Sequence, residues 1–250
     1  MKNYKISYYM HVGLRSNQED CLFINGEIFQ EEGFDSVITI QNNSGHGLYA
    51  VCDGMGGMNK GEWASKFICD HLKKDIEFRD QEIIKHLSEI QTLVENENVQ
   101  KSGSTIAGVL LKDKDIKIFN CGDSRVYKIT PGQIEYVSHD HSLVQHSVDD
   151  GYITTEEAFD HIHKNVIEFG IGDIFKKVWD EKRSSVFINS FTLNETDCYL
   201  ICSDGVCDVL RDNEIFAILS PEPLEVIPEF IEIIKERMND NFSFIIIGLE

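Results

Sequence analysis

Two Asp-Gly pairs, Asp53-Gly54 and Asp204-Gly205, each follow an apolar run, at residues 48–52 and 199–202. An apolar strand aims a carboxylate, and the glycine after it lets backbone or an ion come close. Four more acids sit at similar junctions: Asp20 after a polar turn, Asp123 in Gly122-Asp123-Ser124, Asp208 one turn beyond Asp204, and Asp240 before the last apolar run. Taken singly, Asp-Gly is ordinary turn chemistry. Six acids at strand or helix junctions form a stronger pattern. Carboxylates brought together repel, so their convergence implies bound cations or raised pKa values. Oxygen-only donors suit hard divalent ions such as Mg²⁺ or Mn²⁺.

Other chemistries fit less well. Gly54-Met55-Gly56-Gly57 and Lys101-Ser102-Gly103-Ser104-Thr105 both lack the G-x-x-x-x-G-K-[ST] spacing of a nucleotide-binding loop. Asp53 would also repel a phosphate in the absence of a metal. His139, His141, His146, His161 and His163 lack the spacing of a structural zinc site. His141 reads better as a structural hydrogen-bonding group.

The elements that must carry these acids follow from periodicity. Residues 4–12 read as a strand and 21–30 as a hairpin folded at Asn25-Gly26. Residues 37–40 and 48–52 are further strands. From Asn59 the period changes, with Ala64, Ile68, Leu72 and Ile76 recurring at i+4 in an amphipathic helix. Asp80 is expected to cap a second helix bearing Ile83, Leu87, Ile90 and Val94. Residues 105–111, 116–121, 125–129 and 134–137 read as one antiparallel meander. A polar excursion at 139–180 follows, with a capping box at Thr154-x-x-Glu157. Strands at 185–193 and 198–202, helices within 206–219 and 226–238, and an unbroken apolar strand at 242–249 close the chain. Strands, helix pair, strands, helix pair argue an α+β fold with two stacked sheets. No repeat or linker divides residues 1–250, so one domain is expected.

Composition sets outer bounds. The chain has 250 residues, 42% hydrophobic, with 23 basic and 43 acidic residues and a net charge of -20. That length and apolar content support one sizeable core. The acidity sets aside nucleic acid and anionic membrane as partners. Seven cysteines, with no C-x-x-C pair and no apolar run near ~18 residues, point to a reducing cytoplasm. No apolar stripe is left over once helices cover the sheets, so a monomer is expected.

The ordered set of motifs resembles the metal-dependent protein phosphatases, the type 2C Ser/Thr family, in its bacterial form. The matching pieces are Gly13-Leu14-Arg15-Ser16-Asn17-Gln18-Glu19-Asp20, Val51-Cys52-Asp53-Gly54-Met55-Gly56-Gly57, Gly61-Glu62-x-Ala64-Ser65, Gly103-Ser104-Thr105, Gly122-Asp123-Ser124-Arg125-Val126-Tyr127, Asp140-His141-Ser142, Gly151-Tyr152-Ile153-Thr154, Ser203-Asp204-Gly205 and Asp240-Asn241. Each is weak alone; in family order over nearly the whole chain they are specific. The resemblance implies a four-layer α-β-β-α sandwich, two antiparallel sheets flanked by helix pairs, with a flap subdomain at about 140–180.

It further implies hydrolysis of phosphoserine and phosphothreonine in proteins by a metal-activated water, using two Mn²⁺ or Mg²⁺ ions. Carried over by position, Asp53 would bridge both ions, Asp204 and Asp240 would hold one, and the Gly54 carbonyl and, through water, Asp20 the other. Bacterial members often bind a third ion, which Asp123 and, less closely, Asp208 match. Arg15 matches the phosphate-gripping arginine, whose planar fork donates two parallel hydrogen bonds. Many eukaryotic members place a histidine, proposed as general acid, where this chain has Met55. The implied partners are phosphorylated substrates of a Ser/Thr kinase. Two alternatives stay open from sequence: a catalytically silent phosphatase-like module that binds phosphoproteins, and an enzyme acting on a small phosphorylated metabolite.

Overall fold

The computed structural model describes residues 3–57, 60–73, 75–220 and 222–249; Asn59, where the sequence period changes, lies outside them. The chain opens with β1 (Tyr4–His11), the hairpin β2 (Asp20–Ile24) and β3 (Glu27–Phe29), then β4 (Ile38–Asn42) and β5 (His46–Met55). Two helices follow, α1 (Lys60–His71) and α2 (Asp80–Asn96). Next come β6 (Gly103–Ser104), β7 (Ile106–Lys112), β8 (Asp115–Cys121), β9 (Arg125–Thr130) and β10 (Gln133–Tyr136). The excursion holds α3 (Leu143–Asp149), α4 (Thr155–Phe159), the short β11 (Ile171–Gly172) and α5 (Lys176–Asp180). The chain then forms β12 (Phe187–Thr192), β13 (Cys198–Cys202), α6 (Asp204–Cys207), α7 (Asp212–Leu219), α8 (Ile227–Arg237) and β14 (Phe242–Leu249).

The strands form two antiparallel sheets. One runs β10-β9-β13-β14-β1-β4; the other runs β11-β6-β5-β7-β8-β12, with the β2–β3 hairpin joined to β5 through β2. Alternation explains the layering, because successive strand residues face opposite sides. On β14, Ile245 and Ile247 enter the core between the sheets, whereas Phe244 and Ile246 pack with Ile215, Phe230 and Ile234 of α7 and α8. A strand buried on both faces must read as a continuous apolar run, which is how 242–249 appears in the sequence. On β5, Tyr49 and Val51 face the other sheet, while Leu48, Ala50 and Cys52 face Ile68 of α1 and Leu87 and Ile90 of α2. The result is the α-β-β-α sandwich. All seven cysteines are buried free thiols that fill this packing as small apolar groups.

Three local expectations are corrected. The run at 105–137 is not one meander: β7 and β8 belong to one sheet, β9 and β10 to the other. The chain changes sheets at residues 122–124, where Gly122 has φ 106°, and this leaves Asp123 at the rim. Helix α1 stops at His71, and Ile76 packs onto the same apolar cluster from outside the helix. Asp80 is the first helical residue rather than the cap, and its carboxylate accepts a bond from Lys117 Nζ at 2.6 Å. The helix expected within 206–219 is α7, opened by a bond from Arg211 N to Glu214 Oε2 at 3.0 Å, and the short α6 precedes it. The hairpin turn agrees with expectation, with Asn25 and Gly26 at φ 49° and 102°. So does the Thr154–Glu157 capping box.

Ile245 is fully buried where the sheets face one another. Ile245→Ala should therefore lower unfolding free energy by roughly 2–5 kcal/mol, through lost transfer energy and a cavity. Urea titration checks this: the midpoint falls while the slope is unchanged.

Candidate active site

The alternation that builds the core also aims the first two acids. Tyr49 and Val51 face the other sheet, so Asp53 continues their line at the open end of the inter-sheet layer. On β2, Leu22 and Ile24 face the same way, and Asp20 continues that line to lie opposite Asp53 in the ladder. The strand does not end at Cys52, as expected from the sequence, but runs on to Met55. Thr105 fixes this stretch: Asp53 N donates to Thr105 Oγ1 at 3.1 Å and Thr105 N donates to the Asp53 carbonyl at 2.8 Å. Gly54 is required by space, since a Cβ there would lie 2.1 Å from the Gly61 carbonyl oxygen of α1.

The opposite sheet supplies the rest. β13 ends at Cys202, Ser203 links it to α6, and Asp204 opens that helix. Ser203 Oγ donates to Asp20 Oδ2 at 2.9 Å and accepts from Ser243 N at 3.0 Å, tying β2 to β14 across the sandwich. Asn241 clamps the 12–19 turn. Its Oδ1 accepts from Glu19 N at 2.7 Å, and its Nδ2 donates to the carbonyls of Val12 at 2.8 Å and Asn17 at 3.0 Å. The clamp brings Arg15 to Asp240, and the two form an ion pair.

Of the residues singled out from sequence, Arg15, Asp53, Gly54, Asp204 and Asp240 line one open cavity of about 430 Å³, together with Asn165 and Ile167 of the excursion. Asp20 does not line it; it lies fully buried behind Asp53. Asp123 and Asp208 line a neighbouring cleft of about 330 Å³ beneath α3 and α4. Asp204 belongs to both and forms the wall between them.

The electrostatics are those of crowded, desolvated acids. Burial pushes Asp20 up to about 7, only partly opposed by hydrogen bonding that includes the Ser203 hydroxyl. Asp204 is also raised to about 7, by burial and then by the nearby Asp208 carboxylate. Asp53 and Asp123 stand well above the usual carboxylate range, through burial first and the Asp204 charge second. The Asp204 charge thus acts directly on Asp53, the second cause after burial of its raised pKa. Among the described residues no three His, Cys, Asp or Glu side chains meet at one point. Asp240 pairs with Arg15, and Asp20 accepts from Ser203.

The donor set nonetheless suits a hard divalent ion. It consists of oxygens, and Oδ1 of both Asp20 and Asp123 is buried without a hydrogen-bond partner, a deficit a cation would fill.

Several positioning residues escaped the sequence reading of roles. Thr105, Ser203 and Asn241 lie within the quoted motifs, but only the fold shows what their polar atoms hold. His141 was read as structural, and it is. Its Nδ1 accepts from Gly122 N at 3.2 Å and its Nε2 lies 2.9 Å from the Ser185 carbonyl, steadying the turn before Asp123. Lys164, 3.0 Å from Asp208, carried no sequence signal at all.

Comparison with known proteins bears on this arrangement directly. The family model for protein phosphatase 2C matches residues 10–147. The chain belongs to the protein phosphatase 2C family. It is 30% identical over 204 residues to the serine/threonine protein phosphatase PstP of Mycobacterium tuberculosis, covering 76% of this chain and 38% of that protein. The chain thus spans about two fifths of the length of that curated relative. The crystal structure of serine/threonine phosphatase Stp1 from Staphylococcus aureus superposes with a TM-score of 0.80 at 30% identity, covering 98% of this chain and 94% of that one. The PstP catalytic domain in complex with two manganese ions shares the 2C fold with a TM-score of 0.71 at 24% identity, over 100% of this chain and 99% of that one.

The raised carboxyls make a prediction for the metal-free 2C domain. Their folded pKa values exceed the unfolded ones, so the folded state holds protons that the unfolded chain releases, and stability falls as pH rises towards and through about 7. His86 and His141, lowered by burial, act in the opposite sense below their ordinary 6.5, so the clean window lies above it. In chelator, the melting temperature should be higher at pH 6.5 than at pH 8. A flat or rising profile over that interval would show that these acids are ionised in the folded chain.

Proposed function

We propose that this protein phosphatase 2C family member hydrolyses phosphoserine and phosphothreonine in proteins, with two Mn²⁺ or Mg²⁺ ions held between the sheets. The observation that carries the reading is the convergence of Asp53, Asp204 and Asp240 with Arg15 in one cavity, backed by the unpartnered Oδ1 of the buried Asp20. Carboxylates repel a phosphate dianion, so a site that combines them with a phosphate-binding arginine calls for cations between the two. The residues that would hold these ions are Asp53, Asp204, Asp240, the Gly54 carbonyl and, through water, Asp20, with Asp123 and Asp208 available to a third. Two such ions, when bound, would activate water at neutral pH and offset the charge of the phosphoryl oxygens.

The protein's own groups do the remainder. Arg15, half exposed at the cavity mouth, exchanges Asp240 for phosphoryl oxygens and orients the ester. Asp53 and Asp204, held above the usual carboxylate range by burial, would be ionised when they hold cations. Gly56 and Gly57 leave the cavity floor without side chains that would obstruct a protein substrate. No histidine or cysteine lines the cavity among the described residues, which favours direct attack by water over a covalent intermediate. Met55 has no proton to give a leaving alkoxide.

The domain is taken to act as one unit over residues 1–250, with 140–180 as the flap, because Asn165 and Ile167 of that segment wall the cavity. Substrates of a Ser/Thr kinase, a cytoplasmic location and a monomeric state complete the reading. It is supported by buried free thiols and by the absence, among the described residues, of a helix long and apolar enough to cross a membrane.

Phosphothreonine-peptide hydrolysis by the purified protein, with Mn²⁺ and with EDTA, tests the reading. Turnover should require Mn²⁺, and Asp53→Ala or Asp204→Ala should abolish it while circular dichroism stays native. Arg15→Ala should chiefly raise KM, since it removes ground-state phosphate binding. Unchanged turnover in both aspartate variants would sink the two-ion mechanism. A folded protein silent under every condition would point to a phosphoprotein-binding module instead.

A further inference from the structure

The cleft beside the main cavity contains a cation that the proposed reaction does not use. Lys164, from the flap, places Nζ 3.0 Å from Asp208 Oδ2, and each side chain is only about 30% exposed, at 30% and 27%. Lys164 lines the same cleft as Asp123, Asp204 and Asp208. The other two cations there are engaged elsewhere. Arg125 donates Nε and Nη2 to Asp140 at 2.9 and 2.7 Å, and Arg211 donates to Asp160 at 2.6 Å. Asp123 is 7% exposed, and its Oδ1 is buried without a partner. Three carboxylates therefore share one directly placed positive charge, and that charge is carried by the flap.

The same segment is pinned to α7 as well. Arg211 stacks 4.0 Å over the Phe159 ring and pairs with Asp160. The residues after Lys164 then cross to the main cavity, where Asn165 and Ile167 form part of the wall. Whatever moves Lys164 off Asp208 moves its neighbour at the substrate site.

We propose that Lys164 is a tethered cation that competes with a divalent ion for Asp208 and Asp123, so that flap docking and ion occupancy of the side cleft exclude one another. This rests on the two-ion reading of the main site. A divalent ion brings twice the charge of an ammonium and can be coordinated by several oxygens, whereas Lys164 meets one carboxylate. Occupancy of the cleft would thus free the flap segment and loosen the Asn165 wall. With the cleft empty of metal, Lys164 holds that wall in place. Lys164 is a positioning residue in this scheme, acting on substrate through its neighbour.

Calorimetric titration of Mn²⁺ into wild type, Lys164→Gln and Lys164→Arg, at one ionic strength, tests the competition. Lys164→Gln should tighten the weakest Mn²⁺ site by roughly fivefold, the scale of a released, partly exposed ion pair, and change the tighter sites less. Lys164→Arg should behave as wild type. Hydrogen exchange supplies a second readout. Saturating Mn²⁺ should speed exchange at residues 160–167 in wild type, and Lys164→Gln should exchange fast there without Mn²⁺. Equal Mn²⁺ affinities at every site in wild type and Lys164→Gln would overturn the competition and leave the two-ion site standing, as would Mn²⁺ slowing exchange over 160–167 in wild type. Absence of Mn²⁺ binding in all three proteins would overturn both.

Discussion

The repulsion among carboxylates held in a dry rim between two sheets is the constraint on which the structure turns. Asp20, Asp53, Asp123 and Asp204 all have pKa values above the ordinary carboxylate range, and burial is the largest cause in each case. An acid in that position is costly unless it keeps a proton or gains a cation. The scaffold around them is accordingly stiff. The Ser203 hydroxyl bridges Asp20 to the β14 backbone, Thr105 holds Asp53 by both backbone groups, and Asn241 ties three backbone groups of the 12–19 turn. Strain of this kind at a rim, balanced by packing elsewhere, is the usual signature of a working site.

The packing that balances it is continuous with the site. The helix-facing Cys52 and the site-facing Asp53 are adjacent on the strand, and the next residue, Gly54, abuts the Gly61 carbonyl of α1. The helix is thereby a backstop for the strand end that presents the acid. Ser65 reinforces the contact from the same helix, donating to the Glu19 carbonyl at 2.5 Å. The Gly61-Glu62-x-Ala64-Ser65 motif, chemically inert in itself, is explained by this proximity.

Much of the fold was legible because its signals are local and periodic. The two-sided burial of β14, the Asn25-Gly26 turn and the helical stripes of α2 and α8 each leave a pattern within a few residues. The site acids were legible because Asp-Gly after an apolar run is rare enough to stand out when repeated. What the sequence hid was set by contacts between distant segments. Nothing in residues 105–137 announces that the chain changes sheets after Cys121, since each hairpin half looks like the other. Nothing near Asp53 shows that pairing with Gly103 and Ser104 carries β5 on to Met55. The division of the acids between two cavities, and the lysine facing Asp208, depend on where the flap folds back.

Asp204 forms the wall common to both cavities, and that bears on how the protein could be inhibited selectively. A compound aimed at the main cavity meets mostly carboxylates, glycine backbone and one arginine, features carried by the shared motifs. The side cleft offers Val144, Val148, Ala158 and Phe159 for apolar contact alongside the other face of the same aspartate. A small molecule seated there would gain its grip from flap side chains outside those motifs while pressing on a carboxylate the whole site depends on. Selectivity and potency would then come from opposite sides of one residue.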